Sequence, residues 1–147
     1  MIAAEDTMSV VVVALGRERY GIPIGHVREI RPLGGVARVP GAGERWLGLS
    51  KARGELVAVL DLAGHLGIGD PPGGDPQLML VEADGLVVGL SVRVVVGVRS
   101  VALAEIGPPL DPGEGAPVLG LTPDIVAILD VPALLADPAL VVRDAAE

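Results

Sequence analysis

Two histidines, His26 and His65, and two aspartates at the ends of apolar runs, Asp61 and Asp130, are the residues of this chain best placed for chemistry. A zinc site needs at least three ligands, normally with two close together in sequence. His26 and Glu29 stand at helical spacing, but His65 is far away and cysteine is absent, so no metal site is expected. His65, beside Leu66 on a short helical segment, reads as an ordinary exposed or half-buried histidine. An aspartate after a hydrophobic strand can accept a phosphoryl group when clustered acids hold a divalent cation beside it. No acids cluster at Asp61 or Asp130. Each stands before a short apolar segment, where a carboxylate caps free N–H groups. The chain has no nucleophile elbow and no phosphate loop, and Gly67-Ile68-Gly69 is too short for a dinucleotide fingerprint. With no acid, base or nucleophile pair, neither an enzyme nor a cofactor is expected.

The elements that carry these residues occur twice. Trp46-Leu47-Gly48-Leu49-Ser50 leads through Lys51-Ala52-Arg53-Gly54-Glu55 into Leu56-Val57-Ala58-Val59-Leu60-Asp61-Leu62. Val118-Leu119-Gly120-Leu121-Thr122 leads through Pro123-Asp124 alone into Ile125-Val126-Ala127-Ile128-Leu129-Asp130-Val131. The first copy holds three extra residues, in the connection with Lys51, Arg53 and Gly54, and an asymmetric loop is where function can sit on a symmetric scaffold. Upstream, Ser9–Leu15 turns at Gly16-Arg17-Glu18 into Arg19–Ile24, and Leu78–Glu82 turns at Ala83-Asp84-Gly85 into Leu86–Val92. Both read as hairpins, with Gly16 matched to Gly85. Ile24, Val27 and Ile30, three apart, predict a short amphipathic helix over Ile24–Arg31. Val36–Val39 reads as a brief extended segment. Gly67–Pro76 is the clearest interior linker. The expected organisation is a tail over 1–8, one domain over 9–137 with sequence halves of about 9–75 and 76–137, and a tail over 138–147.

Half of the 147 residues are hydrophobic, yet Phe is absent and Trp and Tyr occur once each, so the core is Val, Leu, Ile and Ala. Such residues suit a pleated surface, and 21 glycines and 13 prolines demand many turns. The class is mostly β. The net charge is −8, and no Lys/Arg cluster in the sequence is large enough for the basic face that nucleic-acid binding needs. The acidic N-terminus does not read as a signal peptide, and Leu86–Val98 is interrupted by Arg93 and too short to span a bilayer as a helix. A soluble cytoplasmic protein is expected.

From Gly16-Arg17-Glu18-Arg19-Tyr20-Gly21-Ile22-Pro23-Ile24 through Val27-Arg28-Glu29-Ile30, the chain resembles the CheW family, the coupling proteins of bacterial chemosensory arrays. The resemblance continues in order through Val39-Pro40, Gly48-Leu49-Ser50-Lys51-Ala52-Arg53-Gly54, Asp61-Leu62, Val88-Gly89-Leu90-Ser91-Val92, Val95–Val98 and Ile106-Gly107-Pro108-Pro109, and covers about residues 9–136. No single motif is specific; the ordered set is. The resemblance implies two small five-stranded SH3-like β-barrels packed side by side with short helices. It further implies a non-enzymatic adaptor that links the regulatory domain of a CheA-type histidine kinase to the cytoplasmic tip of a chemoreceptor, recruited to receptor arrays.

Within that resemblance, Glu29 and Arg53 match a charge pair near the receptor-binding groove. A guanidinium there can hold the carboxylate with two prongs and fix the loop before Gly54. Val27, Val39 and Gly48 match apolar or small positions around the same groove, although Val27 also suits a core and Gly48 a close backbone approach. Trp46 is an interface anchor if exposed and core bulk if buried. Lys51 and Ala52 replace the usual Asn-Leu, Ala58 a usual Pro, and Arg93 a usual Asp. These departures point to a runner-up: a divergent regulator, including one controlling pilus-driven motility, that binds a kinase or another CheW-like protein but no receptor. A small-molecule sensor using the groove between the barrels is the alternative of another class. Met1 opens the chain and no receiver or kinase segment is appended, so a complete adaptor is expected.

Overall fold

The computed structural model describes residues 6–41, 43, 46–69, 74–109 and 117–136. Ten strands run in chain order: β1 Thr7–Leu15, β2 Glu18–Pro23, β3 Val27–Pro32, β4 Trp46–Ala52, β5 Glu55–Asp61, β6 Gln77–Ala83, β7 Leu86–Val92, β8 Val94–Ala102, β9 Val118–Leu121 and β10 Val126–Leu129. Two short helices, α1 Leu62–His65 and α2 Val131–Leu135, follow β5 and β10. The expected C-terminal tail lies outside the described residues, as do 70–73 of the linker.

The strands form two five-stranded sheets, ordered β8-β1-β2-β10-β9 and β3-β6-β7-β5-β4. Each order maps onto the other under the repeat. The halves nevertheless do not own one sheet each: the first hairpin of either half joins the last three strands of the other. The boundary near Pro76 therefore divides the repeat and not the sheets.

The expected barrels are not closed by a ladder among the described strands. Instead the chain leaving each edge strand crosses to the far edge and makes one bridge there. Ala37 and Leu49 exchange two bonds of 2.8 Å; Gly107 and Leu121 exchange bonds of 2.8 and 2.9 Å. Both bridges need a glycine beside them. A Cβ on Gly48 would collide with the Ala37 carbonyl, and one on Gly120 with that of Gly107. The glycine of the repeated Leu-Gly-Leu thus permits the close backbone approach at each bridge. The extended segment expected around Val36–Val39 is reduced to the single bridge at Ala37.

Three apolar clusters make the core. Val10, Val12, Val101, Val126 and Ile128 line the inside of the first sheet; Ala52, Val57, Val59, Leu78 and Leu80 line the second. Between the sheets lies the largest cluster, which includes Val11, Val13, Leu15 and Ile22 with Leu60, Met79, Val81 and Leu90. The hairpin turns set these faces. Gly16-Arg17 and Asp84-Gly85 are the equivalent two-residue turns, so Gly16 matches Asp84 rather than Gly85. That one-residue slip matters, because it exchanges the two faces of a strand.

The predicted helix over Ile24–Arg31 is overturned. Only Ile24–His26 makes a 3-10 turn, and Val27–Pro32 is β3, an edge strand paired to β6 with a bulge at Arg28. A segment this short gains little from helical periodicity, whereas pairing satisfies an edge of β6 that would otherwise stay open. The three extra residues of the first repeat also sit differently from expectation. They lengthen strands β4 and β5, whose turn is only Arg53-Gly54.

The two aspartates diverge as well. Asp130 accepts a bond from the Ala133 N–H at 3.1 Å and caps α2; Asp61 occupies the same place before α1 but makes no such bond. Asp130→Ala should therefore cost about 1 kcal/mol in chemical denaturation, and Asp61→Ala less than about 0.5 kcal/mol. Gly48→Ala and Gly120→Ala should each cost more than about 2 kcal/mol, whereas Gly25→Ala, with open space around its Cα, should change stability by less than about 0.5 kcal/mol.

Candidate functional site

β3 carries Glu29 just past its bulge, and the β4–β5 turn carries Arg53 and Gly54. Their φ angles are 54° and 80°, both positive as a type I′ hairpin turn requires. Glycine adopts that geometry freely; an arginine there costs about 1 kcal/mol or more. The turn aims Arg53 at β3, where its Nε lies 3.5 Å from Glu29 Oε2. Arg31 Nη1 approaches the same oxygen at 3.8 Å. That oxygen is shielded from solvent and accepts no hydrogen bond. The contact is single-pronged and not the expected fork. With the Arg53 side chain 67% exposed, such a pair contributes about 0–1 kcal/mol. It does not hold the fold together, and it leaves most of the guanidinium donors turned to solvent.

Lys51 is exposed one residue pair before the same turn and Glu55 is exposed just after it, so the hairpin tip carries mixed charge beside the shielded Glu29 oxygen. Val39 is 40% exposed and belongs to no strand. Val27 and Trp46 pack, half-buried, against the inter-sheet cluster, and Gly48 is buried at the Ala37 bridge. The structure thus gathers Glu29, Lys51, Arg53 and Gly54 at one surface, while Val27, Trp46 and Gly48 serve packing.

A second charge cluster was not apparent from the sequence. On the first sheet, Arg99 of β8 forks onto the Asp124 carboxylate at 2.8 and 2.7 Å. Arg19 donates to the Asp124 carbonyl at 3.1 Å. Thr122 donates its hydroxyl to Asp124 Oδ1 at 2.7 Å and accepts from the Val126 N–H at 2.9 Å. The Arg99 fork, and then the Thr122 hydroxyl, hold the Asp124 carboxyl far below the ordinary carboxylate range. Asp124 in turn raises Arg99. Thr122-Pro123-Asp124 is a turn-forming triplet, but its arginine partners come from β2 and β8, which no local pattern reveals.

This cluster joins the same two elements, edge strand and following hairpin turn, that Glu29 and Arg53 join on the other sheet, although the registers match Arg99 to Arg31 and Glu29 to Gly97. In one the edge strand brings the acid and the turn the base; in the other the strand brings the base and the turn the acid.

His26 Nδ1 donates to the Glu82 carbonyl at 2.9 Å, and Arg28 pairs with the Glu82 carboxylate. Among the described residues no three His, Asp or Glu side chains gather as metal ligands, and no helix is long and apolar enough to cross a membrane. The space between the sheets is occupied by packed aliphatic side chains.

A family model described as a CheW-like domain matches residues 9–139. The chain is 31% identical to Protein FrzA of Myxococcus xanthus over 103 residues, 69% of this chain and 64% of that protein, so it spans less than two thirds of that relative. The crystal structure of scaffolding protein TtCheW from Thermoanaerobacter tengcongensis superposes with a TM-score of 0.75 at 28% identity, covering 84% of this chain and 88% of that one.

Because the folded Asp124 carboxyl is depressed, its stabilisation is complete above the unperturbed value of 3.8 and fades as pH falls below it. Melting temperatures of the parent and of Asp124→Asn should differ above about pH 5 and converge toward about pH 2. A gap that stays constant over that range would mean that the fork contributes nothing.

Proposed function

The chain belongs to the family of CheW-like domains, and from that premise we propose that it is a non-enzymatic adaptor of a bacterial chemosensory complex, linking a CheA-type histidine kinase to chemoreceptors. The observation that carries this reading is the family match over residues 9–139, which takes in both sheets and, apart from the first two residues of β1, every strand described. The site chemistry agrees with it. The hairpin tip offers charge for recognition, and no described group is arranged as nucleophile or base.

An adaptor needs two separate docking surfaces, and the sheet exchange supplies a scaffold that holds two surfaces in fixed relation. One is the charged tip of Lys51, Arg53 and Glu55 over Glu29. Apolar surface is present as well. Val94, Val96 and Val98 stand 47%, 58% and 65% exposed on β8, an edge strand, and exposed apolar rows of this kind serve protein contacts. In this reading the protein is cytoplasmic and reaches the membrane through its receptor.

Lys51 and Arg93 favour a second reading of the same fold, a regulator that binds a kinase or another CheW-like protein without a receptor. Both side chains are exposed, so their positive charge meets any partner that approaches.

Calorimetry of the protein with the regulatory domain of its own organism's CheA-type kinases separates the readings. Micromolar or tighter binding is expected. Arg53→Glu should weaken binding to one partner by about tenfold or more while shifting stability by less than about 1 kcal/mol. Retained kinase binding in Arg53→Glu assigns that tip to the other partner. Absence of binding to every such kinase, or equal losses of stability and affinity, defeats the adaptor reading of this site.

A further inference from the structure

Asp61 is left unused by the packing, although its repeat partner Asp130 caps a helix. Its carboxylate accepts no bond from α1, and among the described residues no hydrogen bond or ion pair satisfies it. It rests over Gly64, where an added Cβ would come within 2.7 Å of Oδ2, and opens into a cleft of about 250 Å³. β5 and β7 run parallel at this point, in a register that sets Ser91 directly beside Asp61. Arg93, just after β7, also lines the cleft. It donates Nη1 to the Gly74 carbonyl at 3.2 Å and keeps its other donors. Leu47, Ala63 and Ile68 supply an apolar wall.

The scaffold does not require this polar equipment. At the matching places on the other sheet stand Pro23 for Ser91 and Gly25 for Arg93. One of two equivalent positions has therefore acquired an acid without a partner, a hydroxyl and a guanidinium around one small opening.

We propose that this cleft binds a small zwitterion of the α-amino acid class. Its ammonium meets the Asp61 carboxylate, its carboxylate meets the Arg93 guanidinium, and the Ser91 hydroxyl fills out the polar wall. The apolar wall covers the aliphatic part of the ligand. A charge-assisted hydrogen bond at each end compensates charges that the apo cleft leaves exposed or unpaired. The volume lies below the roughly 300 Å³ at which drug-sized ligands begin to fit and suits a ligand as small as a free amino acid. The site lies beside α1 at the ends of β5 and β7, away from the packed inter-sheet core, and does not depend on the adaptor reading. On an adaptor it would add a metabolite input to a protein scaffold.

The test is isothermal titration of the full chain with glycine, L-serine and L-lysine at low ionic strength, beside Asp61→Asn and Arg93→Gln. Saturable one-to-one binding of at least one probe is expected, with a dissociation constant below about 1 mM. Each variant should weaken it by about tenfold or more. The exposed turn variant Arg17→Gln should bind as the parent does, and bound probe should shift the Gly64 and Ser91 amide resonances. Circular dichroism confirms that each variant is folded. No saturable binding of any of the three probes, or undiminished affinity in either cleft variant, overturns the proposal.

Discussion

The apolar face that each sheet turns toward the other ties this molecule together, because neither sheet can be completed by one half of the chain. Val11, Val13 and Leu15 of β1 share that cluster with Met79, Val81 and Ala83 of β6. The alternate residues of the same two strands, Val10 and Val12 in one and Leu78 and Leu80 in the other, line the separate inner cores. β1 and β6 are thus buried on both faces, which is why their sequences read as nearly continuous apolar runs without clean alternation. With no phenylalanine and one tryptophan in the chain, this burial is almost wholly aliphatic. Apolar burial of this kind stabilises in proportion to the area removed from water, at about 25 cal/mol per Å², and it depends on close fit between many small contacts.

The sequence made the repeat, the four hairpins, the two short helices and the aliphatic core legible, because each rests on local chemistry: β-branched runs, glycine at turns, apolar periodicity. It misread what tertiary context decides. Ile24, Val27 and Ile30 fit a helical stripe, but the open edge of β6 takes Val27–Pro32 as a strand. Matching glycine to glycine at the first hairpins set them one residue out of step, since the second turn places aspartate where the first places glycine. The identical sequence positions of Asp61 and Asp130 conceal that only one of them caps. The charge pair of Glu29 and Arg53 came from resemblance and is brought to 3.5 Å. The cluster around Asp124 could not be read, because Arg19 and Arg99 are distant from it in sequence and each alone looks like ordinary surface.

Both sheets meet the same hazard in the same way. β8, β9, β3 and β4 are the edge strands, and each carries a one-residue bulge, at Val96, Leu119, Arg28 and Leu47. A bulge twists the strand and interrupts the regular row of donors and acceptors that would otherwise invite pairing with another chain. The edge-to-edge bridges at Ala37 and Gly107 occupy part of what remains. The turn across each opening then brings a base on one sheet, Arg53, and an acid on the other, Asp124, so two faces with one backbone design present different electrostatics to their surroundings.

The exchange of hairpins between sheets has a consequence for ancestry and assembly. One half alone contains a hairpin for one sheet and three strands for the other, so it could complete neither. Two separate copies of such a half would complete both by trading arms, as a domain-swapped dimer whose stability rises and falls with concentration. The stretch from Gly67 to Pro76 fuses the two partners and replaces a bimolecular encounter with an effective concentration set by a short tether. On this otherwise twofold frame the halves differ in the length of their second hairpins and in Asp61, which is uncapped where Asp130 caps its helix.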